Sequence, residues 1–416
     1  MLLEEDNKSL MLDCGIKLGE KTQYPLLDDR GFMRVNDIVI SHAHLDHAGY
    51  LPHVYSKGAK PRIWLTKPTR DLMSVLLEDY HRIHYSDKET QKLFSIKDVN
   101  GVLQDARLVK YNERIGRGIN FTLHNAGHIL GSSMVRIDRK GGVLYSGDIC
   151  MRKTRVLDPC EQGLHAETLI VESTYGARGE IVPSLNEATA RLVRSVKQTL
   201  DEGGHVVIPS FAVGRAQEVL LLLDEHMRRG ALPKTKIFIE GMIGKVMRIH
   251  SQNPYHANND IKKRILMSED DPFRSPAFHS SKSKERKDVL KEPCIIVSTS
   301  GMLSGGPVLY YLEKLGHNPK NKLIFVGYQA PGTRGRKVLD GERRIKIGKK
   351  EIELKMKIEQ VRLSGHADFN ELVRFVKGVK GLKKVFVVHG EKSDLADALP
   401  KKYEVIVPKL GESFGI

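Results

Sequence analysis

The sequence predicts an α/β protein of two or three domains, and three observations carry that expectation. At 416 residues the chain is long enough for more than one core. Short β-branched and aliphatic runs, such as Ile38-Val39-Ile40, Val143-Leu144-Tyr145, Leu169-Ile170-Val171 and Val385-Phe386-Val387-Val388, read as buried strands. Between them lie stretches with helical spacing, among them Thr69-Arg70-Asp71-Leu72-Met73-Ser74-Val75-Leu76-Leu77. Several of the strands also end on a histidine or an acid, so the chemistry is expected at strand ends.

The densest such stretch is Ser41-His42-Ala43-His44-Leu45-Asp46-His47-Ala48-Gly49, directly after Ile38-Val39-Ile40. His42 and His44 are spaced by two just past the strand and point the same way, while Asp46 and His47 come off the turn into a helix. Imidazoles and a carboxylate gathered at a strand end suit a borderline metal such as zinc, which takes nitrogen and oxygen ligands. A His-rich surface loop would not need four potential ligands within six residues. In this setting the pattern resembles the signature of the metallo-β-lactamase fold. That resemblance implies an αββα sandwich, two β-sheets flanked by helices, holding one or two metals. It does not fix the substrate, because the fold hosts many hydrolyses.

The first fifteen residues read as a strand, a turn at Asp6-Asn7-Lys8 and a second strand ending near Asp13. A carboxylate at that place either caps a turn or steers a metal-bound histidine. Family resemblance favours the second role, although the strand and Gly-rich turn usual before this hairpin do not precede it here. Residues 54–110 supply helices and connections without evident chemistry. In Phe121-Thr122-Leu123-His124-Asn125-Ala126-Gly127-His128-Ile129-Leu130-Gly131, both His124 and His128 compete for the place of a third imidazole ligand. The Gly-His-x-Leu-Gly-Ser-Ser context resembles the family's third motif and points to His128. Asp148, after Val143-Leu144-Tyr145, is expected to bridge two metals.

Glu172, at the end of Leu169-Ile170-Val171, is an acid that a plain hydrolase of this fold does not require. The stretch Glu172-Ser173-Thr174-Tyr175-Gly176 resembles the first extra motif of the beta-CASP nucleases, which process RNA or DNA. Residues 205–218 and 294–306 look like an inserted domain, in which the amides around Ser300 and Gly301 could cradle an anion. The expected division is 1–177 for the first part of the metallo-β-lactamase domain, 178–345 for an inserted α/β beta-CASP domain, and 346–416 for the C-terminal part of the first. Val361-Arg362-Leu363-Ser364-Gly365-His366 and Val385-Phe386-Val387-Val388-His389 resemble the two remaining motifs. Over nearly the whole chain the resemblance is closest to the nuclease subunit of the cleavage and polyadenylation specificity factor and its archaeal relatives, in a short form without KH domains. Ribonuclease J is a neighbour.

The 67 Lys and Arg against 51 Asp and Glu leave a formal charge of +16, which suits a polyanionic partner. The runs Lys282–Lys287 and Thr333–Lys337 are basic, and Arg334, Arg336 and Ser364 join Ser300 and Gly301 as expected RNA contacts. Aromatic platforms are not evident, so backbone recognition is expected. Cys14, Cys150, Cys160 and Cys294 show no Cys-x-x-Cys spacing, which argues for a reducing, cytoplasmic location. No apolar run approaches the ~20 residues that span a bilayer, so no membrane association is expected.

The resemblance assigns two zinc ions: one to His42, His44, His128 and Asp148, the other to Asp46, His47, His389 and the shared Asp148. His366 is expected to face the scissile phosphate as general acid, oriented by Glu172, with Asp13 steering a ligand. The expected activity is hydrolysis of single-stranded RNA to 5′-phosphate and 3′-hydroxyl ends, by endonuclease cleavage with or without 5′-to-3′ trimming. A catalytically silent RNA-binding scaffold predicts lost ligands, and none is lost. A small-molecule hydrolase would leave residues 178–345 and the charge unexplained. Homodimerisation, with the segment Leu410–Ile416 contributing, follows from the resemblance alone.

Overall fold

The computed structural model describes residues 1–17, 22–84, 93–116, 118–281, 286–390 and 394–416. The chain forms two compact units, one of Met1–Lys153, Pro159–Ile181 and His366–Ile416, the other of Thr154–Asp158 and Val182–Gly365. Residues 346–365, expected with the returning first domain, therefore lie in the second unit. Two tethers account for the extra segments there. Strand Lys357–Gln360 pairs with strand Lys322–Phe325, and Arg155 donates its backbone N–H to Glu218 at 2.9 Å. Lys282–Glu285 of the first basic run lie outside the described residues.

In the first unit, β1 (Leu2–Glu5) and β2 (Lys8–Leu12) form an antiparallel hairpin. Its two-residue turn, Asp6-Asn7, has φ of 46° and 62°, the left-handed pair that matches the twist of a tight hairpin. Strands β3 (Asp37–Val39), β4 (Arg62–Leu65) and β5 (Arg107–Leu108) add in parallel to complete a five-stranded sheet. A seven-stranded sheet contains β6 (Arg114–Ile115), β7 (Phe121–Asn125), β8 (Ser133–Ile137), β9 (Val143–Tyr145) and β10 (Thr168–Glu172). The chain's last two strands, β19 (Lys384–Val388) and β20 (Glu404–Ile406), extend it beyond β10. The period of two divides its side chains cleanly. Val143, Tyr145, Ile170 and Phe386 meet Leu10, Leu12, Val39 and Trp64 of the other sheet. Leu144, Leu169, Val171, Val385 and Val387 turn the opposite way, to a core shared with helix Phe369–Gly378. With helix Ile96–Asp105 packed at β4 and helix Lys67–His84 packed against that helix, this is the αββα sandwich expected from the sequence.

The second unit is built on β11 (Val206–Pro209), β12 (Ile237–Glu240), β13 (Phe278–Ser280), β14 (Ile295–Ser298), β15 (Lys322–Phe325) and β18 (Lys357–Gln360). All pair in parallel, in the order β13-β12-β14-β11-β15-β18. The antiparallel hairpin β16 (Arg344–Ile347) and β17 (Lys350–Glu353) packs with helix Val308–Leu315 on one face. Helices Leu185–Asp201 and Arg215–Arg228 pack together, the former also against β11.

Candidate metal centre

Sheet topology brings the sequence-distant histidines and acids of the first unit together. β9, β10 and β19 are parallel neighbours, and β7 runs in their direction because it is antiparallel to β8, which is antiparallel to β9. The segments leaving these four strands therefore emerge at one edge and carry His128, Asp148, Glu172 and His389. The loop after β3 adds His42 and His44, and the short helix Leu45–Ala48 carries Asp46 and His47.

His42, His44, His128 and Asp148 form a closed quartet. His44 Nδ1 lies 3.1 Å from His42 Nε2 and 3.2 Å from His128 Nε2. Asp148 Oδ2 lies 3.5 and 3.7 Å from His42 Nε2 and His128 Nε2. A tetrahedral ion with bonds of 2.0–2.2 Å requires ligand atoms about 3.3–3.6 Å apart, so this spacing suits zinc. His124, the competing candidate, instead pairs with Glu161 at 3.0 Å.

The other carboxylate oxygen of Asp148 faces a second group. Oδ1 is 3.5 Å from both His47 Nε2 and His389 Nδ1, while Asp46 Oδ2 is 3.5 Å from His389 Nε2 and 3.9 Å from His47 Nε2. Asp46, His47, His389 and Asp148 do not close into one quartet: His47, Asp148 and His389 form one triad, while Asp46 and His47 form another with His42. Asp148 Oδ1 and His47 Nε2 are buried with no hydrogen-bond partner among the described residues. Such orphaned atoms are costly unless something else satisfies them, and a cation between them would. The local potential agrees. Burial opposes charge on His47, but Asp148, Asp13 and Asp46 outweigh it and lift the imidazole to about 10. Asp148 likewise raises His389 to about 9. A place that stabilises a proton so strongly also favours a divalent ion.

Asp13 holds this arrangement from behind. Its carboxylate accepts from Ser41 N at 2.6 Å, Ser41 Oγ at 2.7 Å, His47 Nδ1 at 2.7 Å and Tyr145 Oη at 2.7 Å. With Nδ1–H committed to Asp13, Nε2 is the nitrogen that His47 offers to a cation in exchange for its proton. Gly15 permits the close approach of this loop, since a Cβ there would stand 1.7 Å from the Asp46 carbonyl oxygen.

At the edge of this cluster, His366 Nδ1 lies 3.2 Å from Glu172 Oε2 and 4.0 Å from Asp148 Oδ2, a further group with ligand spacing. Glu172 is almost wholly buried, fixed by donation from Ile149 N at 2.7 Å and from Thr174 Oγ1. Burial works against charge on both partners, yet their mutual attraction holds Glu172 below and His366 above the ordinary range.

Comparison with known proteins agrees with this geometry. A metallo-beta-lactamase superfamily domain matches residues 2–174, a Beta-Casp domain residues 216–338, and a Zn-dependent metallo-hydrolase RNA specificity domain residues 351–408. The chain belongs to the metallo-β-lactamase/beta-CASP ribonuclease family. It is similar to the transcription termination factors FttA of Methanothermobacter thermautotrophicus, 36% identical over 430 residues, and Thermococcus kodakarensis, 38% identical over 435. Each alignment covers 97% of this chain and 67% of the relative, so the chain spans about two thirds of their length. The cluster is accordingly the metal centre of a zinc-dependent hydrolase of the RNA-specific class.

The remaining expected residues lie in the second unit. Ser300 Oγ donates to Gly305 O at 3.1 Å, and Gly301 lies against Ser210 and Phe211. Arg334 reaches the Leu303 carbonyl and Arg336 pairs with Asp340, so both cations already have partners within the protein. Ser364 stands one residue before the end of the unit.

Sequence reasoning missed the supports of the metal centre. Tyr145 and Ser41 are anonymous until Asp13 is seen between them. Arg152 was missed too: its guanidinium pairs with Asp368 and with Glu371 at 2.7 Å. Asp368 and Glu371 cap the helix that follows His366, and Ala367 N donates to Ile149 O at 2.7 Å. The loop after Asp148 is thus clasped to the loop of His366. Arg152 lies four residues past Asp148, a local signal that acquires meaning only through its distant acids.

Proposed function

We propose that this protein is an endoribonuclease that uses two zinc ions to cut single-stranded RNA into products with 5′-phosphate and 3′-hydroxyl ends. Its role is taken to be RNA 3′-end processing or turnover, which suits the termination role named for its relatives. The observation that carries the reading is the division of Asp148, with Oδ2 turned to His42 and His128 and Oδ1 to His47 and His389.

His42, His44, His128 and Asp148 would hold one ion; Asp46, His47, His389 and Asp148 would hold the other. When bound, zinc supplies Lewis acidity, neutralising phosphate charge and making water acidic enough to attack near neutral pH. The protein's own groups do the remaining work. Glu172 accepts the Nδ1 proton of His366, which keeps the ring oriented and supports its positive charge. Nε2 is then the atom that delivers a proton to the departing 3′ oxygen. Asp13 fixes the tautomer of His47. Functional assembly as a homodimer completes the reading.

The test is a time course of zinc-loaded protein on 5′-labelled single-stranded RNA carrying either a monophosphate or a triphosphate. Labelled internal fragments from both are expected. Mononucleotide released first, and only from the monophosphate, would make 5′-to-3′ trimming the main activity. Intact RNA that is nevertheless bound would overturn hydrolysis. Light scattering of the same preparation reads the dimer, and a monomer mass would remove that part.

A further inference from the structure

In the second unit the chain leaves β11 and β14 in opposite directions. β11 leads to β12 on one side and β14 leads to β15 on the other, although β11 and β14 are adjacent. In an open parallel sheet this reversal opens a crevice at the carboxyl ends of the two strands, where ligands bind. Phe211, two residues past β11, sits there with 38% of its surface exposed. Its floor is glycine backbone. A Cβ on Gly301 would stand 3.3 Å from the ring, and one on Gly327 would stand 3.6 Å from it.

The side chain of Arg215 borders the same glycine floor. The same Cβ on Gly327 would be 3.9 Å from the Arg215 side chain, and one on Gly365 would be 2.6 Å from Arg215 Nη2. Arg215 is half-buried, yet it has no hydrogen-bond or ion-pair partner among the described residues. A single exposed phenylalanine needs no explanation. A half-exposed ring and an unpartnered guanidinium set on the same glycine floor do. The combination has the two chemistries of a nucleotide: a flat apolar face for a base, and a planar fork of donors for a phosphate.

We propose that Phe211 and Arg215 form a nucleotide subsite for single-stranded RNA, the base stacking on Phe211 and a backbone phosphate bonding to Arg215. This rests on the ribonuclease reading for its choice of ligand. It adds base stacking to the backbone recognition expected from the sequence.

The test uses the full chain carrying H366A, so that RNA stays intact. Trp64 is the single tryptophan and is buried at 7% exposure, so F211W places a reporter in the crevice against a quiet background. Titration with a 12-nucleotide RNA is expected to quench the new emission, whereas inorganic polyphosphate, which has charge and no base, leaves it unchanged. In parallel, F211L and R215Q are each expected to weaken RNA binding about tenfold, as loss of one stacked base or one phosphate contact does. Zinc content should stay at the level of the parent. Parental affinity in both F211L and R215Q, or equal quenching by polyphosphate, would overturn the subsite. RNA cleavage by the wild type is read separately: cleavage with unaffected variants removes only the subsite, while RNA binding without cleavage removes only the nuclease.

Discussion

Asp148 shows how one residue can couple two ligand groups. Its oxygens face opposite sets of histidines, Oδ2 towards His42 and His128 and Oδ1 towards His47 and His389. Replacing it with alanine should abolish cleavage and remove zinc together, as read by metal analysis of the purified variant. His366→Ala should behave differently: zinc content unchanged, cleavage reduced by about 10²- to 10⁴-fold, the usual range for a lost general acid. Loss of zinc as well would make His366 a ligand. Asp13→Asn tests the support of His47. The amide has one acceptor oxygen where the carboxylate uses two, one for Ser41 N and one for Ser41 Oγ, His47 Nδ1 and Tyr145 Oη, and zinc affinity should fall about 10- to 100-fold in a chelator competition.

At the scale of elements, what matters is how strand ends are tied to one another. Arg152 spans Asp368 and Glu371, and Ile149 links Glu172 through its N–H and Ala367 through its carbonyl. Arg152→Met would leave two buried carboxylates facing each other. The guanidinium is 24% exposed, so water offsets part of the loss; unfolding in urea should show about 2 kcal/mol of destabilisation, below the ~3–5 of a fully buried pair. Because the clasp holds the loop of His366, cleavage should fall while zinc stays bound. An unchanged rate at a lower stability would restrict the clasp to folding. The strands and their chemical ends were legible because each depends on a local pattern: a β-branched run, then a ligand residue. The clasp was not legible, since Arg152 and Asp368 are 216 residues apart and ordinary charged residues taken singly. The boundary after Gly365 was also hidden, because β18 belongs to the second unit only through its pairing with β15.

Across the whole molecule, charge and burial govern the response to conditions. With +16 of formal charge, RNA affinity should fall steeply and linearly on a log–log plot against salt, because bound phosphates release counterions. A flat plot would mean that the charge is not engaged. A second dependence comes from His250, which is 1% exposed and donates Nδ1–H to Val246 O at 2.8 Å. Burial lowers it to about 4. The unfolded chain therefore binds a proton that the folded one refuses, and this contribution to stability is lost as pH falls from the unfolded value near 6.5 towards 4. At a pH of about 5 the penalty is on the order of 2 kcal/mol. Urea unfolding of wild type and H250L at both ends of this window should show a smaller pH response in the variant.

The sequence by itself determined the candidate ligand types, their order along the chain and the alternation of strand and helix, because these reside in neighbours a few residues apart. Even His124 and His128 were separable by their immediate context, and the structure turns the first to Glu161 and the second to the metal centre. Only the tertiary structure decided which oxygen of Asp148 serves which histidines, how Asp13 reaches both Ser41 and Tyr145, and where Arg215 is left beside Phe211. The longest of these relations depend on strand order and crossing direction, which bring Tyr145 to Asp13 across 132 residues. Local pattern specifies which residue comes next; the burial of two sheets against each other specifies which residue comes near.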